Sequence, residues 1–138
     1  MNWKKLLIAF VVVLIVGQIL SYIIHGVILD PTYKALADVF RPQADMMSKM
    51  WIGVITAIIF TFFFVYIFAK GYEGKGIMEG VRFRLIITCF WSIPSMYGQY
   101  MVYELPYYLV LQWVLYDLLV LVICGILAAV IYKPLEIK

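Results

Sequence analysis

Residues 107–132 read YYLVLQWVLYDLLVLVICGILAAVIY, and this stretch decides the fold class. It is 26 residues long and holds a single charged side chain, Asp117. About 20 apolar residues are enough to cross the hydrocarbon core of a bilayer as a helix. Polar and apolar residues do not alternate at period two, so membrane strands are not indicated. The stretch therefore predicts a membrane-spanning helix.

Three further apolar runs of similar length precede this stretch: Leu6–Leu29, Trp51–Ala69 and Leu85–Tyr103. We predict an all-α membrane protein with four transmembrane helices in an up-and-down bundle, forming a single transmembrane domain over residues 1–138. The helices are expected at about 5–29, 51–70, 80–104 and 107–132. Although Lys4 and Lys5 imitate the start of a signal peptide, no A-x-A-like site follows, so the first run is interpreted as an uncleaved helix.

The composition excludes several classes of protein. The chain is 66% hydrophobic and 14% charged, with a mean hydropathy of +1.00, whereas a soluble domain is about a quarter charged. Its net charge of +3 is spread over segment ends, so no nucleic-acid partner is expected. Cys89 and Cys124 both fall inside apolar runs and form no C-x-x-C or zinc pattern. We predict no cofactor and no metal site.

The connections between the runs differ in character. Asp30 and Pro31 are typical of an N-cap and first helical position, which predicts a short interfacial helix over residues 31–41. Residues 70–80 are glycine-rich and predict an open loop. The third connection, residues 104–106, is short enough to make the last two helices an antiparallel hairpin.

The distribution of lysine and arginine predicts the orientation, because cytoplasmic loops are enriched in these residues. One side holds eight of them, Lys4, Lys5, Lys70, Lys75, Arg82, Arg84, Lys133 and Lys138. The other side holds Lys34, Arg41 and Lys49. We therefore predict a multi-pass protein of the bacterial inner membrane with both termini in the cytoplasm.

Polar side chains within the apolar runs are the candidate functional residues, because such groups are costly in hydrocarbon. They follow helical spacing and gather in the predicted outer half of helices one, three and four, with Asp117 deepest. Tyr22 and Tyr97 are expected to add aromatic walls. The predicted ligand-binding residues are Gln18, Ser21, His25, Ser95, Gln99, Tyr100, Gln112, Tyr116 and Asp117.

Each of these residues also has an alternative interpretation. Serine, threonine and glutamine stripes commonly do no more than hydrogen-bond neighbouring helices. Tyrosines near helix ends are typical membrane-interface anchors, and His25 fits a satisfied interfacial histidine. A protonated Asp117 bonded within the bundle would need no functional role, since desolvation favours its neutral form.

Three functions remain open at this point. The first is binding of a lipid-like or other amphipathic small molecule in the polar, tyrosine-rich pocket. The second is a proton-coupled small transporter, acting as an oligomer, with Asp117 as its titrating group. The third is an accessory subunit of a larger membrane complex. Catalysis is not favoured, because no nucleophile elbow, H-E-x-x-H motif or phosphate-binding loop is present. The expected partners are membrane lipids, an amphipathic ligand, and a homo-oligomer or larger complex.

The apolar first run ends near His25 and Gly26, and the sequence GYEGKGIMEG at residues 71–80 precedes the third helix. This pattern resembles small four-helix integral membrane proteins of bacteria, a group with no assigned activity. The resemblance covers most of the chain. It implies the four-helix membrane fold and carries no implication about a reaction.

Overall fold

A computed structural model describes residues 1–132, and within this range the chain forms helices and no strand. Three helical stretches are long and apolar enough to cross a membrane: Trp3–Ile28, Met50–Lys70 and Tyr107–Tyr132. The all-helical class is therefore confirmed, and these three stretches agree with three of the predicted spans. The remaining predicted span is helical over residues 77–102 but is more polar, so its crossing stays a prediction.

The first stretch consists of α1 (Trp3–Ser21) and a π-helical continuation, Tyr22–Ile28. Asn2 caps α1, because its Oδ1 accepts a hydrogen bond of 3.1 Å from the backbone N–H of Lys5. At the other end, the N–H of Leu29 reaches back five residues to the carbonyl oxygen of Ile24. A π-helix has more residues per turn than an α-helix. His25 therefore points in a different direction from the one that a continuous α-helix would give it.

The predicted interfacial helix over 31–41 is wrong in its length. Helix α2 (Asp30–Ala35) begins one residue earlier, so Asp30 is not the N-cap, and it ends after one and a half turns. An unpredicted short helix, α3 (Gln43–Ser48), follows Pro42. Tyr33 and Phe40 of this connection pack onto a buried cluster at the start of α7, formed by Leu105, Leu109 and Val110.

The predicted open loop over residues 70–80 is shorter and more ordered than expected. Helix α4 (Met50–Lys70) ends at Gly71, and α5 (Ile77–Ile87) already includes Glu79. The buried Glu79 carboxylate accepts hydrogen bonds from the backbone N–H groups of Glu73 (2.6 Å) and Lys75 (2.8 Å). Gly76 has a φ of 79°, which glycine adopts at little cost just before the helix.

The predicted helix over 80–104 is three consecutive pieces. Helix α5 continues into a π-helical segment, Thr88–Ser92, and then into α6 (Ile93–Val102). The π segment ends two residues before Pro94, which has no N–H to offer a regular α-helical ladder. The last helix is α7 (Tyr107–Tyr132), as predicted.

The helices pack closely in only part of their length, which we name the packed half. It comprises residues 6–13 of α1, 61–69 of α4, α5, and residues 121–132 of α7. Asn2 N–H donates to the Tyr132 hydroxyl at 3.0 Å and so joins the beginning of α1 to the end of α7. The main buried cluster lies here: Leu6, Ala9, Val13, Phe64, Val65, Phe68, Ala69, Cys124, Ala128, Ala129 and Tyr132.

The remaining part, residues 17–28, 50–60, 89–102 and 107–120, is named the open half. No residue of α4 before Thr61 is buried, and α6 has no buried residue. The candidate site lies in this open half, in the cavities between α1, α4, α6 and α7.

Candidate functional site

Asp117 lies near the middle of α7, where the packed half gives way to the open half. The Ser92 hydroxyl donates a hydrogen bond to the Asp117 Oδ2 atom. Ser92 ends the π-helical segment before Pro94, so the local widening of this helix determines where that hydroxyl lies. Asp117 is also close enough to His25 and Arg84 to interact with both electrostatically. It therefore stands at the centre of the polar groups inside the protein.

Three ring side chains, Trp113, Tyr33 and His25, are linked by hydrogen bonds at the end of the site away from Arg84. The Trp113 Nε1–H donates to the Tyr33 hydroxyl at 2.8 Å, and that hydroxyl lies 2.6 Å from His25 Nδ1. Since an indole N–H can only donate, the hydroxyl proton of Tyr33 remains available to His25. Burial raises the pKa of Tyr33, and the hydrogen bond from Trp113 offsets part of this effect. The hydroxyl thus stays protonated and able to donate.

Two cavities meet at Asp117. The first, of about 180 Å³, reaches from Val13 and Arg84 to His25 and Trp113. The second, of about 410 Å³, extends from Asp117 past Ser92 and Gln99. Five side chains line both cavities, so the two adjoin, and we refer to them together as the space around Asp117: His25, Phe60, Met96, Trp113 and Asp117.

This combined space opens to the side, between α4 and α6, and not only at the end of the helices. Phe60 of α4 and Trp91 of the π segment both line the second cavity, and both side chains are exposed. A wider groove passes from Gln18 and Ser21 along the open half of α4 to the same Phe60 and Trp91. A molecule could thus reach Asp117 from the side, between α4 and α6.

The structure brings most of the predicted site residues to this space. Gln18, Ser21, Tyr116 and Asp117 line the first cavity, Ser95 and Gln99 line the second, and His25 lines both. Tyr100 and Gln112 line neither cavity. Tyr100 packs edge-on against Tyr97 and Tyr107, and Gln112 has a buried Oε1 atom with no hydrogen-bond partner. Tyr22 is not a wall of the space, because it is 70% exposed.

Arg84 is the residue that the sequence interpretation missed. It was counted among the cytoplasmic basic residues, but it is 1% exposed and lines the first cavity. Lys133 and Lys138 of the same count lie outside the described residues. A signal was present in the sequence, because Thr88 and Ser92 are four residues apart on one helix face, and Arg84 lies four residues before Thr88 on that face. Following the face back from Thr88 would have placed Arg84 on the side that meets α7.

Within residues 1–132 no group of three or more histidine, cysteine, aspartate or glutamate side chains could hold a metal ion. Neither a protein-family model, nor a curated protein, nor a solved structure matches this chain. The function must therefore be argued from the geometry of the space around Asp117 alone.

Proposed function

We propose that the protein binds a lipid-like or other amphipathic small molecule in the space around Asp117. The observation that carries this proposal is the opening between α4 and α6, which leads from the exposed Phe60 and Trp91 to the polar groups around Asp117. An apolar tail would lie along Phe60 and Trp91, and a polar head would lie near Asp117 and His25. Sites with mostly apolar walls and a few convergent polar groups are typical of such ligands.

The proposal includes the membrane arrangement. The four helical stretches cross the bacterial inner membrane as an up-and-down bundle, both termini are cytoplasmic, and α2 lies at the periplasmic interface. The asymmetry of lysine and arginine supports this orientation even without Arg84. In this arrangement the open half and its ligand belong to the outer leaflet.

A matched pair of substitutions on α4 tests the binding proposal. Ala57 lines the first cavity and the groove, whereas Ile58 is its exposed neighbour and lines neither. We expect Ala57→Phe to weaken binding of monoolein by about tenfold, or ~1.4 kcal/mol, because the larger ring occupies the ligand's path. Ile58→Phe should leave binding unchanged. Native mass spectrometry of the purified protein in a nonionic detergent, titrated with monoolein, gives both affinities.

The binding proposal fails if wild-type protein binds no monoolein, no oleate and no lysophosphatidate. It also fails if Ala57→Phe and Ile58→Phe bind equally well. A doubled mass in the same spectra would instead point to a second copy covering the exposed side of α4, the surface that an oligomer or a larger complex would use.

A second candidate, a proton-coupled transporter, is favoured by the place of Asp117 between both cavities and beside Ser92, His25 and Arg84. A carboxyl group at such a junction can exchange its proton as a ligand arrives. Adding oleate to protein in weakly buffered detergent should then change the proton concentration, followed with a pH-indicator dye. Equal signals from wild type and Asp117→Asn would contradict the transporter hypothesis.

A further inference from the structure

Arg84 is a buried cation for which the described chain provides no counter-ion in contact. Its side chain is 1% exposed, and its Nε and Nη1 atoms have no hydrogen-bond partner. Among residues 1–132 no carboxylate oxygen pairs with it, since every ion pair there involves other residues. A buried charge is expensive unless it is paired and hydrogen-bonded. The guanidinium therefore has unused capacity to bind an anion.

The side chain is held in place where α5 and α7 cross closely. An added Cβ atom at Gly125 would lie 2.6 Å from the Gly80 carbonyl oxygen and would also overlap the Cγ atom of Arg84. The absence of a side chain at Gly125 thus makes room for the Arg84 stem. Beyond it, the guanidinium lies over the face of the Phe64 ring, an arrangement that partly compensates a desolvated cation. The position is fixed before any ligand arrives.

Arg84 lines the inner end of the first cavity, and the space beside it has room for a small head group. The cavity holds about 180 Å³, and the other groups near Arg84 that could carry charge are Asp117 and Cys124. The Asp117 carboxylate is already hydrogen-bonded to Ser92 and forms no ion pair with Arg84. An anion that reached Arg84 would displace Asp117 as its nearest negative charge.

We propose that Arg84 is the anchor of an oxyanion subsite that takes the carboxylate or phosphate head group of an amphipathic ligand. This inference rests on the proposed function, because it names the chemical class of the same ligand. A planar guanidinium offers several N–H donors in a fixed arrangement, which matches the oxygens of a carboxylate or a phosphate. The acyl chain would then leave between α4 and α6.

The test compares three amphipaths and one free anion by native mass spectrometry in nonionic detergent. Oleate carries a carboxylate, lysophosphatidate a phosphate, and monoolein the same acyl chain without charge. Inorganic phosphate represents the head group without a chain. A thermal-shift assay compares its stabilising effect with that of lysophosphatidate. Wild-type protein should bind the two acids at least about tenfold more tightly than monoolein, and it should gain little from inorganic phosphate.

Arg84→Gln should lose this preference by weakening both acids about tenfold while monoolein binding stays within twofold of wild type. Arg82→Gln removes the same charge two residues away, outside the cavity lining, and should keep the preference. Asp117→Asn should bind the acids as tightly as wild type or more tightly, because a competing negative charge is gone. Arg84→Lys, which retains the charge, serves as the second variant if Arg84→Gln does not fold. It should show an intermediate preference.

Equal binding of acids and monoolein to wild type would overturn the subsite and leave the proposed function standing. An unchanged preference in Arg84→Gln or in Arg84→Lys would overturn it as well. Stabilisation by inorganic phosphate equal to that by lysophosphatidate would contradict the assignment to a head group. Failure of all three amphipaths to bind wild type would instead remove the proposed function itself.

Discussion

The packed half and the open half contain helices of similar apolarity, yet only one of them is tightly closed. In lipid there is no hydrophobic force between helices, so close packing depends on side chains that let the backbones approach. The packed half has such residues where helices meet, among them Gly80, Gly125 and Ala128. The open half instead has large rings, Trp91 and Trp113, along its cavity, and Trp91 is exposed. Small residues therefore close the packed half where they face each other across a crossing, whereas Gly53 of the open half has no neighbouring helix within 4 Å.

The largest effect is expected at the Gly80–Gly125 crossing. A side chain at Gly80 would overlap the Gly125 carbonyl group, so Gly80→Leu must separate α5 from α7. We expect a loss of about 3 kcal/mol or more of unfolding free energy, the upper range for overpacking, and little folded protein. Thermal unfolding in detergent, followed by circular dichroism, measures this change.

Gly53 in the open half is the control for that substitution, because nothing lies within 4 Å of the position where its Cβ would be. Gly53→Leu should be neutral or stabilising by up to about 1 kcal/mol, since glycine disfavours a helix interior. If Gly80→Leu and Gly53→Leu unfold alike, the distinction between the two halves is wrong.

The next effect tests packing without changing a backbone contact. Leu6 is fully buried in the packed half, whereas its neighbour Leu7 is 52% exposed. We expect Leu6→Ala to cost about 2 kcal/mol, because the surrounding helices cannot collapse fully into the cavity that it leaves. Leu7→Ala, and Ile55→Ala in the open half, should change stability by less than about 0.5 kcal/mol. Denaturant titrations of the three variants measure the differences, and equal losses would contradict the packing described for α1.

The third effect belongs to the three hydrogen-bonded rings at the end of the site away from Arg84. Tyr33→Phe keeps the ring but leaves the Trp113 N–H and His25 Nδ1 without their shared partner. The expected cost is about 0.5–1.5 kcal/mol, the net contribution of a typical hydrogen bond, because His25 is exposed and Trp113 is only partly buried. Tyr22→Phe, on an exposed ring, is the control.

Tryptophan fluorescence in detergent measures this third prediction. Emission from Trp113 should shift in Tyr33→Phe and not in Tyr22→Phe, and the midpoint of thermal unfolding should fall only in the former. An unchanged midpoint in Tyr33→Phe would show that the open half does not depend on this connection for closure.

The sequence predicts the long helices of this molecule better than it predicts the short connecting helices and the directions of the site side chains. Apolar length alone places three of the helices within a few residues, since hydrocarbon thickness imposes that length. The sequence pattern did not give the ends of α2, a short helix whose Tyr33 packs against Leu109 and Val110 of α7. The predicted depth along each helix identified most of the site residues, but depth does not tell in which direction a side chain points. Tyr100 was predicted in the site and lies outside both cavities. Arg84 was predicted in the cytoplasm because of its charge, and it lies inside the first cavity.

The smallest effect is expected farthest from both halves' cores, at Asp45 of α3. Its carboxylate is fully exposed and pairs first with Lys49 and then with Arg41. These cations hold the pKa of Asp45 below its usual value of 3.8.

A group with a lowered pKa stabilises the folded state above its unfolded pKa, and that contribution disappears as the pH falls through the folded pKa. Because exposed pairs are strongly screened, Asp45→Asn should shift the midpoint of thermal unfolding only marginally at pH 7, and this shift should shrink as the pH falls below 3.8. An NMR titration of the Asp45 side chain should give a pKa under 3.8. A value at or above 3.8 would mean that α3 is not held by these pairs, and the connection would then owe its order entirely to the packing of Tyr33 and Phe40.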